Sequence, residues 1–327
     1  MGKSWDLRIA AGRAGVAAGA LLLAACGSAE PGAADGGVPP VGTGGPFVSA
    51  HRGGAAYAPE NTLMAYRNAA RLYVDDFETD TWLSADGVPV LMHDDTLDRT
   101  TNCSGKISDH TLAELSACDA GYWYSPGQDT TRVDEGAPHP ARGKGVTIPT
   151  AQALFDFAAS FRGTYRPTVT IEIKNFAEAF RAAEVLVPMI QASGIKDRII
   201  VQSFNPLALD RIKQLDGDIR TLYLTPSALG AGVSLTYAAL RGHDFVAPQS
   251  TSRDLDAAFV ERAQALGKQV VPWTPDSEAE LQRLSEMGVD GLITNYPGCV
   301  LALQARLPST RLLAPELGSG DVPLCSD

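Results

Sequence analysis

The chain has 327 residues, 45% of them hydrophobic and 20% charged, with a net charge of −11. That is an ordinary globular composition with enough apolar material for one large core. An acidic chain gains nothing from the counterion release that drives nucleic-acid binding, so DNA and RNA are excluded as expected partners, and any anion site must be made locally positive by a metal or a few Arg and Lys.

Residues 1–25 read as a lipoprotein signal peptide. Lys3, Arg8 and Arg13 give a positive start, Val16 to Ala25 is a short apolar run, and Leu23-Ala24-Ala25-Cys26 before Gly27 matches a lipobox. The run is too short for a stable membrane span. The expectation is an exported protein, lipidated at Cys26 and held at a membrane surface; a plain secretory signal with an incidental Cys26 is the alternative. Residues 26–45 have almost no large apolar side chain and read as a flexible tether. Residues 46–327 form the expected catalytic domain. Of five cysteines, four remain after Cys26, an even number in an oxidising compartment. Four allow three pairings. We expect Cys103–Cys118, which closes a short loop, and Cys299–Cys325, which pins the C-terminal tail (about 300–327); free buried thiols are the alternative.

From Pro46 onward strands and helices alternate. Phe47 to Ala50 is a strand leading into His51. Asn61 is placed to cap a helix running to about Leu72, with Pro59 just upstream. Phe77 to Leu83 and Val88 to Met92 are strands joined by Ala85-Asp86-Gly87, a tight-turn pattern. Residues 95–147 lack βα periodicity and read as an insertion on the rim. Thr150 to Arg162 is helical, Thr168 to Ile173 a strand, Phe176 to Ser193 a long amphipathic helix. Arg198 to Phe204, Ile219 to Leu224, Asp244 to Ala247, Gln269 to Trp273 and Gly291 to Thr294 are further strands. Helices between them include Pro206 to Leu215, Asp254 to Leu266 and Ser277 to Met287. This rhythm predicts an α/β fold, a TIM (β/α)8 barrel with a small inserted subdomain after the third strand. Nine strand candidates are one too many, and the surplus falls on the pair around Asp86, which lacks a helix between its strands and reads as a hairpin.

Catalytic groups in such barrels cluster at the C-terminal ends of strands. His51-Arg52, His93-Asp94, and Glu172 with Lys174 fall there. Glu78 and Asp80 lie two apart in one strand, so both point the same way. Burying like charges is costly without a compensating cation. Glu78, Asp80 and Glu172 form an oxygen-only set suited to one divalent cation, Ca²⁺ or Mg²⁺. Structural pairing of these acids with Arg52 and Lys174 is the bland alternative. His51 and His93 are the candidate acid and base, since imidazole titrates near neutrality. Arg52 and Lys174 are the candidate phosphate ligands. Glu60 is expected to orient a neighbour or cap the helix. Trp273-Thr274 is expected to wall the pocket, and Tyr122-Trp123-Tyr124 is either a lid or packing for the insertion. His110, His139 and His243 have no comparable context.

Taken in order, these clusters resemble the glycerophosphodiester phosphodiesterase family. The resemblance runs from about Phe47 to Pro297. It rests on His51-Arg52-Gly53, Pro59-Glu60-Asn61-Thr62, Glu78-x-Asp80, His93-Asp94, Asp98-Arg99-Thr100-Thr101, Glu172-x-Lys174, Gln202-Ser203-Phe204, Trp273-Thr274 and Thr294-Asn295-Tyr296-Pro297. It implies a metal-dependent hydrolase that splits small-molecule glycerophosphodiesters into sn-glycerol 3-phosphate and an alcohol. It also implies a cation on Glu78, Asp80 and Glu172 and an acid–base pair of His51 and His93. Asn295 departs from the pattern, standing where an acid is common. Phospholipase D-like action on lysophospholipids or sphingomyelin is the neighbouring expectation, and an inactive binding lipoprotein the distant one. Nothing points to an obligate protein partner.

Overall fold

The computed structural model describes residues 45–127, 133, 135–307 and 323–326. The expected signal peptide, Cys26 and the tether up to residue 44 lie outside the described residues. Nine strands are present among the described residues: β1 (Phe47–Ala50), β2 (Asp76–Leu83), β3 (Pro89–Leu91), β4 (Thr168–Ile173), β5 (Ile199–Ser203), β6 (Arg220–Thr225), β7 (Phe245–Pro248), β8 (Gln269–Val270) and β9 (Gly291–Thr294). All but β3 run parallel, in the order β8-β7-β6-β5-β4-β2-β1-β9. The two ends of that ladder meet, since Asp290 N–H donates to the Val270 carbonyl at 2.9 Å and Ile293 N–H to the Pro272 carbonyl at 3.1 Å. The result is the expected eight-stranded parallel barrel. β3 pairs antiparallel with β2 and stays outside the ring. Its turn needs Gly87, whose φ of 81° lies where a side chain is unfavourable. The surplus strand is therefore the hairpin partner that the sequence singles out.

Helices cover the outside of the ring, and side-chain caps fix where several begin. Thr150, Asn205, Asp256 and Ser277 each accept a backbone N–H of the first turn. The first helix, Leu63–Arg71, corrects one expectation: Thr62 is its cap, accepting from the Ala65 N–H. Asn61 instead adopts φ 56° and turns its amide inward. The helix expected from Phe176 begins only at Ala179, because the Asn175 side chain accepts the Glu178 N–H and forms a turn first. The helices Ala231–Arg241 and Pro297–Leu303 are present besides those named from the sequence. No helix among the described residues is long and apolar enough to cross a membrane.

The largest apolar cluster lies between the strands and the outer helices. A separate one supports the insertion around Leu97, Ile107, Leu115 and Ile148. Inside the ring the lining is divided. Leu222, Leu224, Phe245, Ala247, Val271 and Ile293 make an apolar half. Ser49, Asp76, Glu78, Asp80, Thr170 and Glu172 make a buried polar half. Both expected disulfides, Cys103–Cys118 and Cys299–Cys325, are formed. In the insertion, Tyr122 stacks edge-on against Trp123 and lies under the Arg142 guanidinium at 4.1 Å, while the Tyr124 hydroxyl donates to the Ala56 carbonyl. These rings pack the insertion. At the N-terminal end of the barrel, Gly45 and the strand starts Phe47, Thr168, Arg220, Phe245 and Gln269 surround a cavity of about 350 Å³. None of the candidate catalytic or ligand residues lines it, and that end of such barrels serves stability.

Candidate active site

Strand periodicity and register together assemble the acids. Residues two apart share a face, so Asp76, Glu78 and Asp80 all project into the ring from β2. In the parallel ladder Asp80 stands opposite Glu172, and Glu172 opposite Gln202. Glu78, Asp80 and Glu172 are buried and bring ligand oxygens within 4.8 Å of one another. Burial, then the neighbouring Asp80 charge, pushes the Glu78 carboxyl well above the usual carboxylate range. Burial likewise pushes Glu172 up to about 7. Burial opposes ionisation of Asp80 as well, but Lys174, then His93 and Arg52, outweigh it and hold that carboxyl low.

Arg52 and Lys174 meet these acids directly. Lys174 Nζ lies 3.1 Å from Asp80 Oδ1 and 3.0 Å from Glu172 Oε2. The Arg52 Nε is 3.5 Å from Asp80 Oδ2, and its Nη1 donates to Glu60 at 3.1 Å. Arg52 sits at φ 53°, ψ 29°, a left-handed conformation that a side chain adopts at a cost of about 1 kcal/mol. That twist points its backbone N–H at Glu78 Oε2, 2.7 Å away. Gly53 follows because a Cβ there would sit 2.6 Å from the Ala65 Cβ. Strain of this kind persists where surrounding contacts over-determine it, commonly at active sites.

Both histidines reach the same cavity. His51 follows β1 and holds Asn295 Oδ1 at 2.8 Å through Nδ1. Burial, and then the Arg52 charge, pushes its imidazole pKa down to about 3. His93 follows β3, its carbonyl fixed by the Trp82 indole at 3.1 Å and its Nδ1 by Asp94 at 2.7 Å. Asp94 is gripped by Arg99, which also binds Glu60. Glu60 thus orients two guanidiniums and caps no helix. His51, Arg52, Glu78, His93, Glu172 and Lys174 line a cavity of about 200 Å³. Phe204, Leu224, Trp273, Thr274 and Ile293 form its other wall, as expected for Trp273 and Thr274.

The donor set fits a hard divalent cation. Three buried carboxylates converge, two of them disfavoured as anions by burial and by the Asp80 charge. Among the described residues Asp80 Oδ1 is buried and accepts no hydrogen bond, with the Lys174 ammonium 3.1 Å away.

Comparison with known proteins agrees with this geometry. The model of the glycerophosphoryl diester phosphodiesterase family matches residues 51–299. The chain belongs to that family. It is 30% identical over 263 residues to a glycerophosphodiester phosphodiesterase of Bacillus subtilis, covering 76% of this chain and 83% of the relative. A second relative, from Caldanaerobacter subterraneus, is 30% identical over 260 residues, covering 79% of this chain and 97% of its own. Among solved structures, an Oleispira antarctica phosphodiesterase in complex with sn-glycerol-3-phosphate matches with a TM-score of 0.67 and 26% identity, covering 80% of this chain and 97% of that one. The enzyme class, a phosphoric diester hydrolase, follows from membership.

Four residues of this phosphodiesterase's site are given no part in it by the sequence analysis, which reads Asn61 only as a helix cap. Asn61 Nδ2 donates to Asp80 at 2.8 Å, and its Oδ1 accepts from the Thr79 hydroxyl and the Asp80 N–H. Gln202 donates to Glu78 at 2.6 Å. Asn295 and Asp276 stand behind His51. Asn61, Gln202 and Asn295 fall inside recognisable motifs, which is the signal that could have found them; Asp276 has none.

Proposed function

We propose that this phosphodiesterase hydrolyses glycerophosphodiesters to sn-glycerol 3-phosphate and an alcohol, with a divalent cation and with His51 and His93 as the proton-transfer pair. The observation that carries this reading is one cavity of about 200 Å³ lined by both imidazoles, two acids of the triad, Arg52 and Lys174. Glu78, Asp80 and Glu172 would hold Ca²⁺ or Mg²⁺, and such an ion offsets the negative charge that builds on phosphate oxygens. Arg52 offers a fork of N–H groups to two of those oxygens, and Lys174 a point charge to a third. One imidazole takes the proton of the nucleophile, a water or the glycerol 2-hydroxyl, while the other delivers a proton to the departing alcohol oxygen. The Oleispira antarctica phosphodiesterase, solved in complex with the product sn-glycerol-3-phosphate, supports the same substrate class here.

The test is release of sn-glycerol 3-phosphate from a panel of headgroup diesters. Chelator should stop it, and Ca²⁺ or Mg²⁺ should restore it. Replacing His51 by Ala should lower turnover by about 10²–10⁴-fold while the melting temperature barely moves. Near-normal turnover in that variant ends the role given to His51. A phospholipase D-like activity on lysophospholipids or sphingomyelin needs an apolar groove beside the acids. Tyr122 to Tyr124 do not line the cavity, which favours the headgroup diesters; glycerophosphocholine and lysophosphatidylcholine, compared as substrates, separate the two. We also propose export and lipidation at Cys26, on residues 1–26 alone. Acyl labelling lost in Cys26→Ala is the matching measurement.

A further inference from the structure

Behind His51 the hydrogen-bonded chain continues past Asn295. A side-chain amide has an accepting edge and a donating edge, and turning it over exchanges them. Asp276 removes that freedom. Its Oδ2 takes the Asn295 Nδ2 hydrogen at 2.7 Å, and its Oδ1 takes the Asn295 backbone N–H and the Thr294 hydroxyl, each at 2.9 Å. An ionised carboxylate only accepts, so the amide edge against it is the NH₂ and the edge against His51 is the carbonyl. A carbonyl also only accepts, so His51 Nδ1 must donate and therefore carries the proton. Its Nε2 keeps a lone pair. His93 is backed differently, because its Nδ1 meets the Asp94 carboxylate directly. The free lone pair on His51 Nε2 fits it to accept a proton, which leaves delivery to His93.

We propose that Asp276 is a positioning residue that acts through Asn295 to fix His51 as the Nδ1–H tautomer. His51 is then the base of the pair and His93 the acid. The C-terminal tail holds the far end of this relay. Ser326 N–H donates to the Asp276 carbonyl at 3.2 Å, the Tyr57 hydroxyl donates to the Leu324 carbonyl at 2.6 Å, and Cys325 is bonded to Cys299.

The proposal rests on the two histidines being the proton-transfer pair, so its test reads the ring itself as well as the rate. Nitrogen NMR of the chain's five histidines, with His51 assigned by its loss in His51→Asn, should give a protonated Nδ1 and a bare Nε2 at neutral pH. In Asp276→Asn the amide at 295 is free to turn over. His51 should shift toward the Nε2–H form, and kcat should fall by about 10²–10⁴-fold with KM changed far less, as expected when an orienting acid is lost. A wild-type ring protonated at Nε2 overturns the proposal, and that spectrum decides even if Asp276→Asn does not fold. Loss of turnover in Asp276→Asn with the Nδ1–H tautomer intact also overturns it, since Asp276 is then merely structural. If His51→Ala keeps its turnover while the tautomer is as expected, the proton-transfer reading fails and takes the base assignment with it.

Discussion

Glu172 stands buried opposite Asp80, 3.0 Å from Lys174, with its pKa pushed from 4.5 up to about 7 by burial. In the ion-free fold it therefore keeps a proton that the unfolded chain has already lost. The stability this gives is full below pH 4.5 and is lost as pH rises to about 7. Glu172→Gln stays neutral throughout. In chelator, urea denaturation should find the variant gaining on the wild type across that window, by roughly 1–3 kcal/mol. With Ca²⁺ or Mg²⁺ present the order should reverse, because the ion stabilises only the fold that binds it. A wild-type melting temperature indifferent to both cations would remove the ion from this site. The three acids were legible because their spacing betrays them: few interior strand positions tolerate carboxylates. Asn61 was not, since an Asn before a helix reads equally well as its cap, and only the presence of Thr62 one residue later decides the matter.

Elements made the acid cluster legible and hid what supports it. Glu78-x-Asp80 and Glu172-x-Lys174 each announce a shared face, but the register that sets Asp80 against Glu172 and Gln202 emerges only when β2, β4 and β5 pair. The relay behind His51 is harder still, because Asp276 and Asn295 sit in loops after different strands. The tail adds a third element to it. Replacing Cys299 and Cys325 together by Ala should cost about 2–4 kcal/mol by freeing the unfolded chain, and should lower kcat several-fold by loosening the loop that carries Asp276. Unchanged kcat in the double variant would mean that the Ser326 contact does not hold that loop. Reading the strands as pairs also explains the surplus strand, since β3 has no helix to carry it back into the parallel ring.

Across the whole molecule, the βα rhythm was the clearest part of the sequence, because each unit must bury one apolar face and does so in the same way. The insertion has no such rhythm and keeps its own apolar cluster. It also carries Arg99, which grips the Asp94 carboxylate that backs His93. Leu115 is fully buried in that cluster. Leu115→Ala should cost about 2–4 kcal/mol, and activity should fade at temperatures where the far-ultraviolet dichroism of the barrel is unchanged. Simultaneous loss of both would join insertion and barrel into one cooperative unit.

Gly45 lies among the strand starts, whereas the charged cavity opens among the strand ends. Coupling the protein to a bead or a supported bilayer through its N-terminal side would therefore occupy the blunt base and leave the mouth facing bulk solution. An enzyme displayed that way should treat dissolved diesters much as the free one does, whereas coupling through the insertion should hinder them.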